Sequence, residues 1–180
     1  MLTLFWGGEM SKNEERLYEP IAHALTERFS QLGDCHLENT SKKFSEQMKG
    51  QLDDYPLLIL SVEKMSPDLT GYLTRKLPYT GAKQIIVVEI KIKPTLKDIY
   101  QTKRYAEILN ASYALLISPN RLSPERRRFL IKRKEEITRF YPDKQVIIGK
   151  FFQGSSTAGI RDAIHIEREL YYNLPEPFKE

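Results

Sequence analysis

Three short segments carry side chains whose types and spacing could do chemistry. Ser66-Pro67-Asp68 supplies one carboxylate, and Glu89-Ile90-Lys91 supplies a second with a lysine two residues on. Gln101 and Tyr105 form a polar pair four residues apart. Two carboxylates are hard oxygen ligands of the kind that hold a divalent cation, and a nearby ammonium can manage a water or a phosphate. Glu89-Ile90-Lys91 is the only (Asp/Glu)-x-Lys triplet in the chain. Residues i and i+2 of a strand share a face, so Glu89 and Lys91 project together. A carboxylate and an ammonium inside an apolar strand are costly unless something satisfies them. The plain alternative is a cross-strand ion pair at a sheet edge. For Gln101 and Tyr105 it is an exposed helix face, where such pairs are common.

The elements that must position these residues can be read in turn. Gln84–Ile92 is rich in β-branched residues and apolar on both faces, the pattern of a central strand. Thr95 with Asp98 caps a helix over about Leu96–Leu109, which carries Gln101 and Tyr105. Tyr113–Ile117 and Gln145–Gly149 read as further strands, with a helix between them opened by Ser123-Pro124-Glu125 and running to about Phe140. Upstream, Leu57–Val62 is an apolar run bounded by turn formers, which suits a buried strand, and Leu69–Thr74 suits a second. Leu77–Ala82 reads as a turn. The first helix starts near Ser11, with Leu17, Ile21, Ala24, Leu25 and Phe29 at helical spacing. Pro20 should kink or restart it. Residues 34–56 are too mixed to place strands. A last helix is expected over Ile160–Tyr171. Strand, helix, strand, helix, strand after residue 84 implies crossovers and an α/β fold with a partly parallel sheet.

Composition excludes several classes. The 180 residues, 41% hydrophobic and 29% charged, are those of one globular domain spanning 1–180, with no repeat or linker to divide it. No apolar run approaches the roughly 20 residues that span a bilayer. Met1–Trp6 lacks a basic flank, so no signal peptide is expected. One cysteine, Cys35, rules out an internal disulfide and fits a cytoplasmic protein. His23, Cys35, His36 and His165 show no zinc-ligand spacing. The net charge of +4 permits a polyanionic partner. Cations gather at Lys91, Lys93, Lys97, Lys103 and Arg104, and again at Arg126, Arg127, Arg128, Lys132, Arg133 and Lys134. Each cluster taken alone is more simply a solvated helix face.

The order Pro-Asp, then (Asp/Glu)-x-Lys on a strong strand, then Gln-xxx-Tyr on the next helix resembles the PD-(D/E)XK nuclease superfamily. Its exonuclease-like and resolvase-like branches carry the last element. The resemblance covers residues 11–117, well over half the chain. It implies a restriction-endonuclease-like α-β-β-β-α-β core with a mixed sheet flanked by helices, here extended by a C-terminal strand and helix. Asp68 matches the Pro-Asp carboxylate, Glu89 and Lys91 the (Asp/Glu)-x-Lys pair, and Gln101 and Tyr105 the Gln-xxx-Tyr pair. Glu15 resembles the glutamate that the first helix presents to the metal, with Glu19 its rival if Pro20 restarts the helix. Pro142-Asp143 follows the lysine element, so its order is wrong.

What the resemblance implies is a Mg²⁺- or Mn²⁺-dependent nuclease acting on DNA. Asp68, Glu89 and the first-helix glutamate would hold the metal, Lys91 would assist the attacking water or the transition state, and Gln101 and Tyr105 would support it. Lys93, Lys97 and Arg104 would be the nearer phosphate contacts, with Arg126, Arg127 and Arg128 as an outer track. The alternatives are a domain of the same fold that binds DNA or a protein without cutting, and a scaffold in which Glu89 and Lys91 are a structural ion pair. A chain this short for a nuclease could choose its substrate through a homodimer or a larger complex.

Overall fold

A computed structural model describes residues 12–76, 83–152, 163–171 and 174–179. Helix α1, Lys12–Phe29, buries Leu17, Tyr18, Ile21, Ala24, Leu25 and Phe29, the three- and four-residue spacing of one helical stripe. Pro20 lies inside it without ending it. The ring removes a single helical hydrogen bond, and the buried stripe on both sides holds the segment as one helix.

Strand β1, Gly33–Asn39, follows in a stretch where the sequence shows no strand signal. Its Asp34, His36 and Glu38 alternate with the partly buried Cys35 and Leu37, a weak period of two that suits a sheet edge. It pairs antiparallel with β2, Leu69–Arg75. The backbones pass so closely that a Cβ at Gly71 would stand 2.1 Å from the His36 carbonyl oxygen.

Between β1 and β2 lie two helices, α2 over Glu46–Lys49 and α3 over Asp54–Val62. The strand expected at Leu57–Val62 is therefore a helix. An apolar run without alternation does not separate strand from helix. Pro56 sits in the first turn of α3, where no backbone donor is needed.

The rest follows the alternation in the sequence. Strand β3, Lys83–Ile90, is antiparallel to β2. Helix α4, Leu96–Ile108, begins on a complete Thr95/Asp98 capping box, a device worth about 1 kcal/mol. Strand β4, Tyr113–Ser118, is buried throughout and runs parallel to β3. Helix α5, Pro124–Thr138, is N-capped by Ser123. Strands β5, Arg139–Tyr141, and β6, Lys144–Phe151, form an antiparallel pair, and β6 is parallel to β4. The sheet order is β1-β2-β3-β4-β6-β5, with β7, Ile164–Ile166, also on β6. This is an open, mixed seven-stranded α/β sheet flanked by helices, with β3 and β4 at its centre.

The helix expected over Ile160–Tyr171 does not form where that segment is described. Ile164 and Ile166 are buried with exposed His165 between them, a strand period, and only a 3-10 turn follows at Arg168–Leu170. Ile160 and the turn expected at Leu77–Ala82 lie outside the described residues, as does Ser11. The tail returns to the body. Phe178 is buried with its ring edge-on to Phe29 at 5.7 Å, and the Arg28 guanidinium lies 5.4 Å from the Phe178 ring centre. Among the described residues no helix is long and apolar enough to cross a membrane.

Candidate active site

β2 begins and β3 ends at the same end of the sheet, because the two strands are antiparallel and Leu69 pairs with Val88. That register places Asp68 beside Glu89. The Asp68 amide donates to Glu89 Oε1 at 3.3 Å, and the Ile90 amide donates to Asp68 Oδ2 at 2.7 Å. Tyr18 of α1 donates to Asp68 Oδ1 at 2.6 Å. The loop before Asp68 is pinned to the end of β1. Thr40 donates its amide to the Asp68 carbonyl and its hydroxyl to the Pro67 carbonyl, and its hydroxyl also meets that of Thr70. Ser66 donates to the Thr40 carbonyl.

Lys91 completes the group. Its Nζ stands 3.4 Å from Asp68 Oδ2, 3.4 Å from Glu89 Oε2 and 3.9 Å from Glu14 Oε2. Glu14 also accepts from the Ile92 amide at 3.4 Å. From α4, Gln101 Nε2 donates to Glu89 Oε2 at 3.4 Å and approaches the Tyr105 hydroxyl at 3.3 Å. Asp68, Glu89, Lys91, Gln101 and Tyr105 therefore converge from three elements separated in sequence.

Burial sets the electrostatics. Glu89 is 1% exposed, and burial first, then the Asp68 charge, raise its pKa well above the ordinary glutamate range despite Lys91. For Lys91 burial is again the largest influence and alone would favour the neutral amine. The charges of Glu89, Asp68 and Glu14 together outweigh it and raise the pKa above the usual lysine range. Tyr18 is held above the ordinary tyrosine range by burial and then by the Asp68 charge. Burial, then the Glu89 charge, push Tyr105 up to about 12. Both phenols therefore stay protonated at neutral pH, Tyr18 as a donor to Asp68 and Tyr105 as an acceptor from Gln101.

Neither Glu15 nor Glu19, the first-helix glutamates expected at the site, reaches this group. Glu15 is exposed and paired with Lys42 at 3.3 Å, and Glu19 is exposed. Glu14 reaches the group instead, because it shares its helical face with Tyr18 and Ile21, while Glu15 lies about 100° further round. Glu14, Tyr18, Thr40 and Thr70 are the residues that sequence reasoning missed. The spacing of Glu14 and Tyr18 on the buried stripe of α1 was the available signal.

Lys93, Lys97, Arg126 and Arg128 are exposed. Arg104 is paired with Glu63 at 3.0 Å, Arg126 donates to the Pro94 carbonyl at 2.9 Å, and Arg127 pairs with Glu169 at 2.7 Å and Glu167 at 3.5 Å. Those three arginines are engaged by the protein itself.

Acidic oxygens from Asp68, Glu89 and Glu14 all face one cation, the Lys91 ammonium. As the side chains stand, no three acidic, histidine or cysteine groups among the described residues are placed so as to hold a metal ion. An incoming metal would have to displace the ammonium. No family model matches this chain, and no curated protein does.

Proposed function

We propose that the chain hydrolyses phosphodiester bonds in DNA with Mg²⁺ or Mn²⁺ held by Asp68 and Glu89, assisted by Glu14. One observation carries this reading: a cation-binding knot of buried carboxylates, centred on Lys91, at the end of the central strands. Such a concentration of acid is unfavourable without positive charge, which Lys91 supplies here and which a divalent ion displacing it would supply in its place.

A bound ion supplies charge neutralisation at the scissile phosphate and a water of lowered pKa. Asp68 is held rigid for this task by Tyr18 on one oxygen and the Ile90 amide on the other. Gln101 orients Glu89 and is itself backed by Tyr105. Lys91 stays protonated, so it acts as a fixed positive charge rather than as a base. Its ammonium would stabilise the negative charge that develops on the phosphate oxygens. The raised pKa of Glu89 means that a proton and a metal would compete for it, so that metal affinity would rise with pH.

The alternative is a domain of the same fold that binds DNA or a protein without cutting. It is favoured by the ammonium already filling the space between the carboxylates. Incubation of supercoiled plasmid with the protein, in Mg²⁺ and in EDTA, separates the two. Cleavage in Mg²⁺ that disappears in EDTA and in Lys91→Ala is the expected result. Absence of cleavage with Mg²⁺ and with Mn²⁺ would refute the nuclease reading.

A further inference from the structure

The two helices between β1 and β2 leave a groove of about 650 Å³ that runs up to Ser66, two residues from Asp68. Its rim is cationic, formed by Lys42, Lys43, Lys49 and Lys64. Its floor is apolar, formed by Phe44, Leu57, Leu60 and Met65. Lys42 is paired with Glu15 and Lys49 with Glu46. Neither Lys43 nor Lys64 has a side-chain partner among the described residues. Lys64 also sits at a φ of 51°, in the left-handed region that glycine occupies at lower cost. That conformation is the cap of α3: the Lys64 amide donates to the Ser61 carbonyl and the Met65 amide to the Leu60 carbonyl, which turns the chain and leaves the Lys64 side chain on the groove.

The neighbouring surface of α3 is unusual in the same direction. Tyr55, Leu58 and Val62 are 72%, 60% and 71% exposed and recur at helical spacing, so they form one apolar stripe. Leu58 belongs to the stripe and to the groove, which makes the two surfaces continuous. Cations above an apolar floor match a polyanion that also offers flat apolar faces. A duplex turns sugar and phosphate outward and keeps its bases stacked, so the floor would contribute nothing to it. An unpaired strand offers both phosphates and base faces.

We propose that the groove and the α3 stripe bind an unpaired nucleic-acid strand, with phosphates on Lys43 and Lys64 and bases against Phe44, Leu58 and Tyr55. Its place as the flank of a scissile phosphate rests on the nuclease reading of Asp68, Glu89 and Lys91, whereas the binding itself does not.

The test is fluorescence anisotropy of labelled oligothymidylate, and of a duplex of equal length, with the full chain in EDTA over a range of salt. The single strand should bind more tightly than the duplex. Lys43→Ala combined with Lys64→Gly should weaken single-strand binding about tenfold and lower the log–log salt slope by roughly 1.4, at about 0.7 per phosphate contact. The thermal midpoint of Lys64→Gly should not fall, because glycine relieves the backbone. Leu58→Ser, at an exposed position, should weaken the single strand at an unchanged salt slope. Duplex bound as tightly as single strand, or unchanged affinity in both variants, would overturn the proposal. Single-strand binding that responds to these variants in a protein that never cuts plasmid would refute the nuclease and leave the groove standing. Cleavage by a protein whose binding ignores these variants would do the reverse.

Discussion

Tyr18 on the first helix donates its phenolic proton to Asp68 Oδ1 at 2.6 Å, across fifty residues of chain. The phenol is held protonated by burial and by the very carboxylate it serves, so the bond persists throughout the neutral range. It fixes α1 against the start of β2 and brings Glu14, one turn earlier, to Lys91 and the Ile92 amide. Tyr18→Phe removes the donor and keeps the ring. The variant should be about 1.5–3 kcal/mol less stable than the parent in urea unfolding without metal, since the lost bond is to a charged acceptor. An unchanged midpoint would show that Asp68 finds another donor.

Lys91→Ala leaves Asp68, Glu89 and Glu14 without their shared cation. In EDTA its thermal midpoint should fall, because breaking a buried ion cluster by removing one partner costs about 3–5 kcal/mol. Mg²⁺ should then restore more stability to the variant than it adds to the parent, whose ammonium competes for the same oxygens. Equal metal-induced shifts in the two proteins would place the ion elsewhere.

Glu89 carries a pH signature. Its pKa in the folded state is raised above the ordinary value of 4.5, by burial first and the Asp68 charge second. Folding therefore favours the protonated form. The stability this contributes is complete below the unfolded pKa and is lost as pH rises through the folded one. Glu89→Gln is neutral at every pH, and Lys91 keeps Asp68 and Glu14. The variant should be the more stable protein at about pH 8 and should converge on the parent near about pH 4 in metal-free melts. A less stable variant at the higher pH would mean that the Lys91 attraction outweighs burial.

The two glutamates of the first turn should behave differently toward metal. Glu14→Gln should weaken Mn²⁺ binding in calorimetric titration by about tenfold or more, the range seen when outer partners of a metal site are removed. Glu15→Gln, which breaks only an exposed pair with Lys42, should leave it unchanged. Equal losses would return Glu15 to the site.

Among the cations, Lys93→Ala with Lys97→Ala should flatten the salt dependence of duplex DNA binding by about 0.9 per lost phosphate contact. Arg127→Ala should leave that slope unchanged, because its guanidinium is already paired with Glu167 and Glu169. A gel-shift titration in salt reads both.

The residues at the core of the candidate site were legible from sequence, because each rests on a local rule. Glu89 and Lys91 share a strand face by alternation, Gln101 and Tyr105 share a helix face by spacing, and Thr95 with Asp98 marks where that helix starts. Elements decided by packing were not legible. The apolar run Leu57–Val62 is compatible with strand and helix alike, and in the structure it is helix α3, with only Leu60 buried. β1, whose polar residues outnumber its apolar ones, is a strand because β2 offers it an edge. Glu15, with Glu19 its rival, is what the sequence offers and Glu14 is not among its candidates, since helical periodicity states which residues share a face but not where that face points. The rotation of α1 about its axis, set by burying Leu17, Tyr18, Ile21 and Leu25 against the sheet, turned Glu14 to Lys91 and left Glu15 to solvent.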